Sequence, residues 1–502
     1  MPKLRRNLLF GLFGVALLLA GLVAGVAIAP AVRATTQPAF TESFPLLQEI
    51  YQTITQNYYT PVDSSKLVQG AIDGMTGALN DPYTVYYTPT EYQQFTQQVN
   101  GQYAGIGAEL DQVAQGVEVM TVFGGTPAAK AGVETGDIFL KVNGKSVATW
   151  SADAVANAVR GNAGTKVTIV FKRGQGQYTA TLTRALITIP TATAQMLPHG
   201  IGLITLSQFS QDAASAFASA MQRLAPHHPR AYILDLRNNP GGYVDQAVGI
   251  AQDIIPQGKV ATLVGKNYPA QVYSSSSGKS LGVPLVVLVN GGTASAAEIL
   301  SAAIVQNHEG TLMGTQTFGK GIAQQVMPMQ QGGYLKITIA QWMTPNGSNI
   351  EHKGIAPSYI VTGTQAPLAA AQARLGGTPS MNATVKVGSL WLTADGQQDA
   401  LGHAPALQAG QLYLSETAVE QATGALVTYQ TSSRTFTVNL GTHTLTAKLG
   451  SAQASLDGKA VKIVAPQSIG GAPMLPVQDL TQAFHVQSRS MGSGSYRLTT
   501  TY

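Results

Sequence analysis

Along the middle of the chain, apolar residues fall into two alternating patterns. Ile201-Gly-Leu-Ile-Thr-Leu206, Ala231–Leu236 and Leu285–Val289 are short, nearly unbroken apolar runs. Runs of that length read as strands buried on both faces of a sheet. Between them, Asp212–Leu224 and Tyr243–Ile255 read as helices, and the alternation predicts an α/β layered core. Nearer the amino terminus, Phe44-Pro-Leu-Leu-Gln-Glu-Ile-Tyr-Gln-Thr-Ile-Thr places apolar residues at helical spacing, and Leu67–Leu79 repeats the pattern. Gly376-Gly-Thr-Pro-Ser380 reads as part of a linker over 376–382, after which residues 383–502 become Thr/Val/Leu/Gln-rich with short strand-like runs. That tail is internally duplicated. Gly410-Gln-Leu-Tyr-Leu-Ser-Glu-Thr-Ala-Val aligns with Gly471-Ala-Pro-Met-Leu-Pro-Val-Gln-Asp-Leu, each followed by a helix-like stretch and a strand.

The candidate chemistry follows the Leu285–Val289 run. Gly291-Gly292-Thr293-Ala294-Ser295-Ala296-Ala297-Glu298-Ile299 joins that strand to an Ala-rich helix. Ser295 therefore falls at a strand-to-helix turn, beside backbone N–H groups that no helical carbonyl satisfies. A hydroxyl there is placed to attack a carbonyl while nearby amides receive the oxyanion. The plain alternative is an N-cap, the commoner fate of a serine at a helix start. A nucleophile also needs a base, yet no histidine stands in a matched motif and no G-x-S-x-G elbow surrounds Ser295. Lys320, in Thr317-Phe318-Gly319-Lys320-Gly321, is the better candidate. Close approach at its glycines would desolvate the ammonium, lowering a lysine pKa by up to about 3–5 units at full burial, and a neutral amine accepts a proton. The alternative for Lys320 is a solvated loop lysine. Ser276-Ser277-Gly278-Lys279 also satisfies S-x-x-K, but it lies in a Ser/Gly-rich loop without a helical pattern and is treated as chance.

Taken together, the Ser295 turn and the segment Phe318-Gly-Lys320-Gly-Ile-Ala-Gln324 resemble the carboxy-terminal processing, or tail-specific, protease family. The resemblance implies a Ser295/Lys320 catalytic dyad with Gln324 supporting the lysine. Ile233-Leu234-Asp235-Leu236-Arg237-Asn238-Asn239-Pro240-Gly241-Gly242 is similar to the family's D-L-R-x-N-x-G-G stretch. It implies that Gly241 or Gly242, with Ala296, supplies oxyanion amides. Leu79-Asn80-Asp81-Pro82-Tyr83-Thr84-Val85-Tyr86 resembles the signature that precedes the family's protease core. Thr344-Pro-Asn-Gly347 and Lys353-Gly-Ile-Ala-Pro357 resemble its closing strand and loop, with Ser358 departing from the usual Asp. The likeness covers about residues 41–375 and implies a crotonase-like α/β core over 187–375. In that family the helical segment, here 41–98, often takes part in dimers, which makes a homodimer one expectation. Helices packed within one chain would give the same periodicity.

Residues 99–186 resemble a PDZ domain, a β-rich module inserted before the core. Tyr103-Ala104-Gly105-Ile106-Gly107-Ala108-Glu109-Leu110 looks like its carboxylate-binding loop, and Thr126–Val133 and Gly136–Gly144 are also PDZ-like. Free amides at Tyr103–Gly107 suit a peptide's terminal carboxylate, and the next strand's edge suits its backbone. No basic residue lies within Tyr103–Leu110, so capture is expected to rest on amides alone. Residues 383–502 resemble a duplicated copper-amine-oxidase N-terminal-like α+β module, read as a binding or spacing domain for an unidentified cell-surface partner. Its histidines, His403, His443 and His485, lack ligand spacing, so no metal or other cofactor is expected.

The remaining features bear on location. Lys3, Arg5 and Arg6 precede an apolar stretch from Leu8 to Val32, about 25 residues and thus nearer a membrane span than a signal-peptide core. Residues 1–34 are read as a signal anchor, with the A-x-A-like Ala31–Ala34 leaving a cleaved signal as the alternative. The positive flank places the rest outside the cytoplasm. Charged residues are sparse at 11 % and the net +5 is unclustered, which argues against nucleic acid. Cysteine is absent, which excludes disulfides and a thiol nucleophile and suits a bacterial envelope. The expected function is a membrane-anchored or secreted serine endopeptidase acting on proteins with exposed carboxyl termini. The alternatives are a non-catalytic PDZ scaffold and an envelope adaptor working through residues 383–502.

Overall fold

The computed structural model describes residues 38–502 apart from Ala114, Ser277, Thr378, Pro379 and Tyr502. The expected signal or anchor, residues 1–34, lies outside the described residues. Among those described, no helix is long and apolar enough to cross a membrane.

The chain divides into two compact units between Pro82 and Tyr83. The first holds the helices Pro38–Asn57 and Ser64–Gly77, the latter started by Asp63, whose side chain accepts the Ser65 N–H at 3.0 Å. The expected helical segment 41–98 is thereby cut. Residues 83–98 belong to the larger unit, where Val85–Tyr87 forms a strand antiparallel to Tyr334–Met343, with Val85 opposite Lys336. Aromatic and β-branched residues suit such a pleated, half-buried position. The helix Pro89–Val99 follows, closed at its start by a Thr88/Glu91 capping box.

The protease-like region is built on a six-stranded sheet ordered Ala192–Leu197, Ile201–Leu206, Ala231–Asp235, Leu285–Val289, Thr311–Gly314, Tyr359–Ile360. The first pair is antiparallel and the others are parallel. Because successive side chains leave a strand on opposite faces, each strand feeds two cores. Leu234, Val287 and Val289 join one apolar cluster with Phe217, Ile250 and Leu300 of the helices Ala213–Leu224, Val244–Ile254 and Ala296–Gln306. Ile233, Val286 and Leu288 join another, which continues into Ala370 and then into Leu414, Val419, Phe436 and Leu475 of the C-terminal module.

The module therefore completes the core rather than hanging from it. The expected linker 376–382 is correspondingly short. Gly376 and Gly377 close the helix Ala366–Arg374 by donating to the carbonyls of Ala373 and Gln372, and a strand begins at Ser380. Gly-Gly has a linker's composition, but the left-handed φ of Gly376 (72°) is also what a helix terminus requires. Within the module the duplication is plain in the backbone. Gln411–Ser415 and Ala472–Pro476 are strands, each followed by a helix and a strand, and they pair antiparallel with Leu414 opposite Leu475. Corresponding positions of the two repeats thus face each other across a local two-fold.

The PDZ-like module has its own sheet and its own core, in which Phe139 and Phe171 meet at 4.8 Å between ring centroids. Its two ends are drawn together by the strand pair Gln102–Gly105 and Ala185–Thr188.

One buried group at the junction of core and C-terminal module is pH-sensitive. Glu420, on the helix Glu416–Thr423, is 3 % exposed and accepts from the Thr362 hydroxyl at 3.1 Å. Burial pushes its pKa up to about 8, against its ordinary 4.5, and the neighbouring Glu416 adds to the rise. The folded state therefore holds a proton that the unfolded chain has released, and stability should decline as pH climbs from about 4.5 to about 8. Asp479, raised to about 7 by burial, acts with the same sign. Glu420→Gln should flatten much of the decline in urea melts between pH 5 and pH 8; an undiminished slope would show that Glu420 does not cause it.

Candidate active site

Two loops meet at the carboxyl ends of the adjacent parallel strands Ala231–Asp235 and Leu285–Val289, the end at which open α/β sheets present their sites. Asn290 laces them together. Its Oδ1 accepts from Asn238 N–H at 2.8 Å and Gly292 N–H at 3.0 Å, while its Nδ2 donates to Asn238 Oδ1 at 2.8 Å. The Ala294 N–H donates to the Asn239 carbonyl at 2.9 Å, and the Thr293 hydroxyl to that of Leu236 at 2.7 Å.

On this frame Ser295 takes the N-cap position of the helix Ala296–Gln306, as the plain reading expected, but with unusual torsions: φ 55° and ψ −118°. A non-glycine residue held there carries strain of about 1–3 kcal/mol, which persists only when its surroundings over-determine it. The main restraint is Glu298. Its fully buried carboxylate accepts the N–H groups of Ser295 (2.8 Å), Lys320 (2.9 Å) and Gly319 (2.7 Å), together with the Thr317 hydroxyl. The Ser295 and Lys320 amides share one oxygen, Oε2, so the two loops are fixed within one carboxylate's reach of each other. The Phe318 N–H adds a bond to the Thr293 carbonyl at 2.9 Å.

The glycines flanking Lys320 are where the backbone approaches most closely. A Cβ on Gly319 (φ 90°) would stand 2.7 Å from Gly354 N, and one on Gly321 would stand 2.6 Å from Glu351 N. Lys320 is partly buried, and its Nζ lies over the Tyr83 ring, 4.6 Å from the centroid. Gln324 stands on the neighbouring strand Ile322–Pro328, at an irregularity after Ala323, and donates to Thr338 Oγ1 at 3.2 Å.

Gly241 (φ 92°) packs directly on the serine turn, since a Cβ there would stand 2.7 Å from Ser295 Cβ and 2.9 Å from Ala296 N. Its own N–H donates to Asn239 Oδ1 at 2.9 Å, so in this conformation it is engaged. Among the described residues, the N–H groups of Gly242 and Ala296 have no protein acceptor.

In the PDZ-like module, Tyr103, Ala104 and Gly105 lie in a strand rather than in an open loop. Ile106 and Gly107 turn their carbonyls inward, to the N–H groups of Ala128 (2.8 Å) and Phe123 (3.0 Å). Among the described residues neither the Ile106 nor the Gly107 N–H has a protein acceptor, and Ala108–Val113 leads on from them. The expectation of no basic residue holds only along the sequence. Arg160, at the end of the helix Ala152–Val159, lies over the Tyr103 ring at 5.8 Å.

Sequence reasoning missed Arg160 as well as the Asn290 and Glu298 networks. For Glu298 a signal existed: Ser followed three residues later by Glu is a capping-box spacing.

Comparison with known proteins follows the same division of the chain. Residues 200–361 match the model of peptidase family S41, 118–173 a PDZ domain, 28–90 the activating protease CtpB N-terminal domain, and 393–492 a copper amine oxidase N-terminal domain. The chain is 36 % identical over 316 residues to the carboxy-terminal processing protease CtpA of Bacillus subtilis, covering 62 % of this chain and 68 % of that one. It is 34 % identical over 319 residues to a probable CtpA-like serine protease of Staphylococcus epidermidis, covering 63 % of this chain and 65 % of the relative. Among solved structures, the photosystem II D1 C-terminal processing protease overlays with a TM-score of 0.42 at 27 % identity, over 63 % of this chain and 92 % of that one.

The Glu298 network predicts an asymmetry between isosteres. Glu298→Gln keeps the shape but turns an NH2 group toward two of the four donors. Each orphaned donor costs about 1–3 kcal/mol, and a misplacement near 1 Å costs about 100-fold in rate. Both Glu298→Gln and Glu298→Ala should lower peptidase turnover by about 100-fold or more and reduce the melting temperature. Wild-type turnover and melting in Glu298→Gln would remove this residue from the role.

Proposed function

Because this chain belongs to the S41 peptidase family, that of the carboxy-terminal processing serine proteases, we propose that Ser295 and Lys320 form its catalytic dyad and that its PDZ module recognises the carboxy-terminal tails of protein substrates. The observation that carries the reading is the single buried carboxylate of Glu298, which holds the backbone of both residues. A strained serine whose turn is tied to a lysine loop favours a nucleophile served by that lysine as base.

In this mechanism the Lys320 amine takes the proton of Ser295 Oγ as the oxygen attacks the scissile carbonyl. The tetrahedral oxyanion is received by the N–H groups of Ala296 and Gly242, each donor contributing about 2.7–4 kcal/mol. Collapse breaks the C–N bond, and Lys320 returns the proton to the departing amine. Water then hydrolyses the acyl-serine by the reverse sequence. Gln324 steadies the lysine from the adjoining strand, and Gly241 serves through its lack of a side chain, which allows the Asn239–Gly242 loop to lie against the nucleophile. For the substrate tail, the Ile106 and Gly107 amides would receive the terminal carboxylate, with Arg160 adding the positive charge that the loop itself lacks. The amino-terminal stretch Leu8–Val32 would place this activity on the outer side of a bacterial membrane, or in the medium once cleaved.

Ser295→Ala and Lys320→Ala should each bring cleavage of an unfolded protein substrate to background while the melting temperature is retained, because nucleophile and base act as a unit. Gln324→Ala should slow turnover by about 100-fold without abolishing it. Full turnover by Lys320→Ala would sink the dyad.

The chain continues into the rest of the protein at both ends of the PDZ module, and the hydrogen-bonded strand pair Gln102–Gly105/Ala185–Thr188 draws those ends together, so tail binding can bias its orientation toward the core. A short non-cleavable peptide with a free apolar carboxyl terminus should accelerate cleavage of a separate small reporter, and Arg160→Ala should raise the peptide concentration required. A flat reporter rate up to saturating peptide would reduce the module to a passive tether.

A further inference from the structure

We infer that Tyr83 and Thr84 are positioning residues for the base, Tyr83 holding the Lys320 ammonium against its ring and Thr84 fixing the strand from which Gln324 is held. The inference rests on the Ser295/Lys320 reading and extends it to a segment far upstream in the sequence.

Four observations converge on these two residues. The Lys320 Nζ stands 4.6 Å from the Tyr83 ring centroid, within the range of a cation–π contact. Thr84 is 5 % exposed, and its Oγ1 accepts the Thr338 N–H at 3.1 Å. Thr338 Oγ1 in turn accepts from Gln324 Nε2 at 3.2 Å, so Thr84 and Gln324 are linked through a single residue. The strand Val85–Tyr87 then continues along Tyr334–Met343, and Tyr92 stacks on Tyr334 at 3.7 Å between centroids. The segment is clamped to this sheet, with Tyr83 set against Lys320 and Thr84 against the strand that holds Gln324.

Physically, a lysine base suffers from its own length. Its amine sits on a flexible four-carbon stem, and catalysis requires one placement. The ring face supplies a surface that favours the charged amine over the neutral one, so it holds the resting base in place and sets the pH at which a proton can be accepted. Charged groups packed around this loop include Glu298 from the helix Ala296–Gln306 and Glu351, His352 and Lys353 from the segment before the last core strand. Substitution at Tyr83 or Thr84 leaves each of these charged side chains in the chain.

The test is the pH dependence of kcat and KM for a small peptide reporter, measured on the full chain. Tyr83→Leu keeps an apolar side chain but has no π face. It should move the acidic limb of kcat down by about one pH unit, since the lysine loses a partner that favours its charge. The plateau kcat should fall about 10-fold or more at nearly constant KM. Tyr83→Phe restores a π face and should bring the limb back to the wild-type position. Thr84→Val removes the acceptor of the Thr338 N–H and should shift the limb in the same direction, with Thr84→Ser rescuing it. Should Tyr83→Leu misfold, the Thr84 pair decides alone. A folded Tyr83→Leu or Thr84→Val protein whose limb coincides with the wild type, in a chain whose Lys320→Ala is inactive, overturns this inference and leaves the dyad standing. Turnover by Lys320→Ala overturns both.

Discussion

A buried carboxylate surrounded by donors organises the end of the sheet at which Ser295 and Lys320 meet. Glu298 is fully enclosed, and burying a charge is costly unless hydrogen bonds compensate it. Here the compensation comes from three backbone N–H groups and one hydroxyl, drawn from the turn carrying Ser295 and the loop carrying Lys320. Each donor is short of acceptors elsewhere because it lies at a helix start or in a tight glycine loop. The carboxylate and the two loops therefore require each other. That mutual dependence allows Ser295 to remain at a positive φ that an isolated turn would relax.

The same logic of shared restraint extends outward. Asn290 and Asn239 bind the glycine loop to the serine turn, so the ends of two neighbouring parallel strands act as one rigid piece. Sites placed on strand ends keep their geometry because the sheet beneath them is packed on both faces. Here one face is covered by helices of the core and the other by the helix Ala366–Arg374 together with the C-terminal module. The module, whatever else it contacts, is part of the support beneath the site.

The two modules differ in how they attach. The C-terminal one shares an apolar cluster with the core, which makes it a fixed layer. The PDZ-like one carries a separate core, and a short strand pair draws its own two ends together.

Much of this was legible in the sequence because it depends on local pattern. The strands at Ile201, Ala231 and Leu285 and the helices between them follow from apolar runs and spacing, and the observed ends lie within one residue of those expected. The duplication after Gly376 and the placement of Ser295 at a strand-to-helix turn are likewise local facts. What the sequence could not decide depends on residues distant along the chain. Segment 83–98 is expected as the end of a helical stretch over 41–98, but Val85–Tyr87 pairs with a strand some 250 positions later, where cross-strand contacts decide its state. The Gly376–Gly377 stretch has the same composition whether it is a linker or a helix cap, and only the apolar face waiting across it makes it the latter. What Arg160 and Tyr83 stand against, Tyr103 and Lys320, is likewise set by the fold alone. The Ser295 torsions are the clearest instance: residue type and the capping-box spacing to Glu298 argue for an ordinary cap, and only the folded chain brings the Gly319 and Lys320 amides onto the same carboxylate.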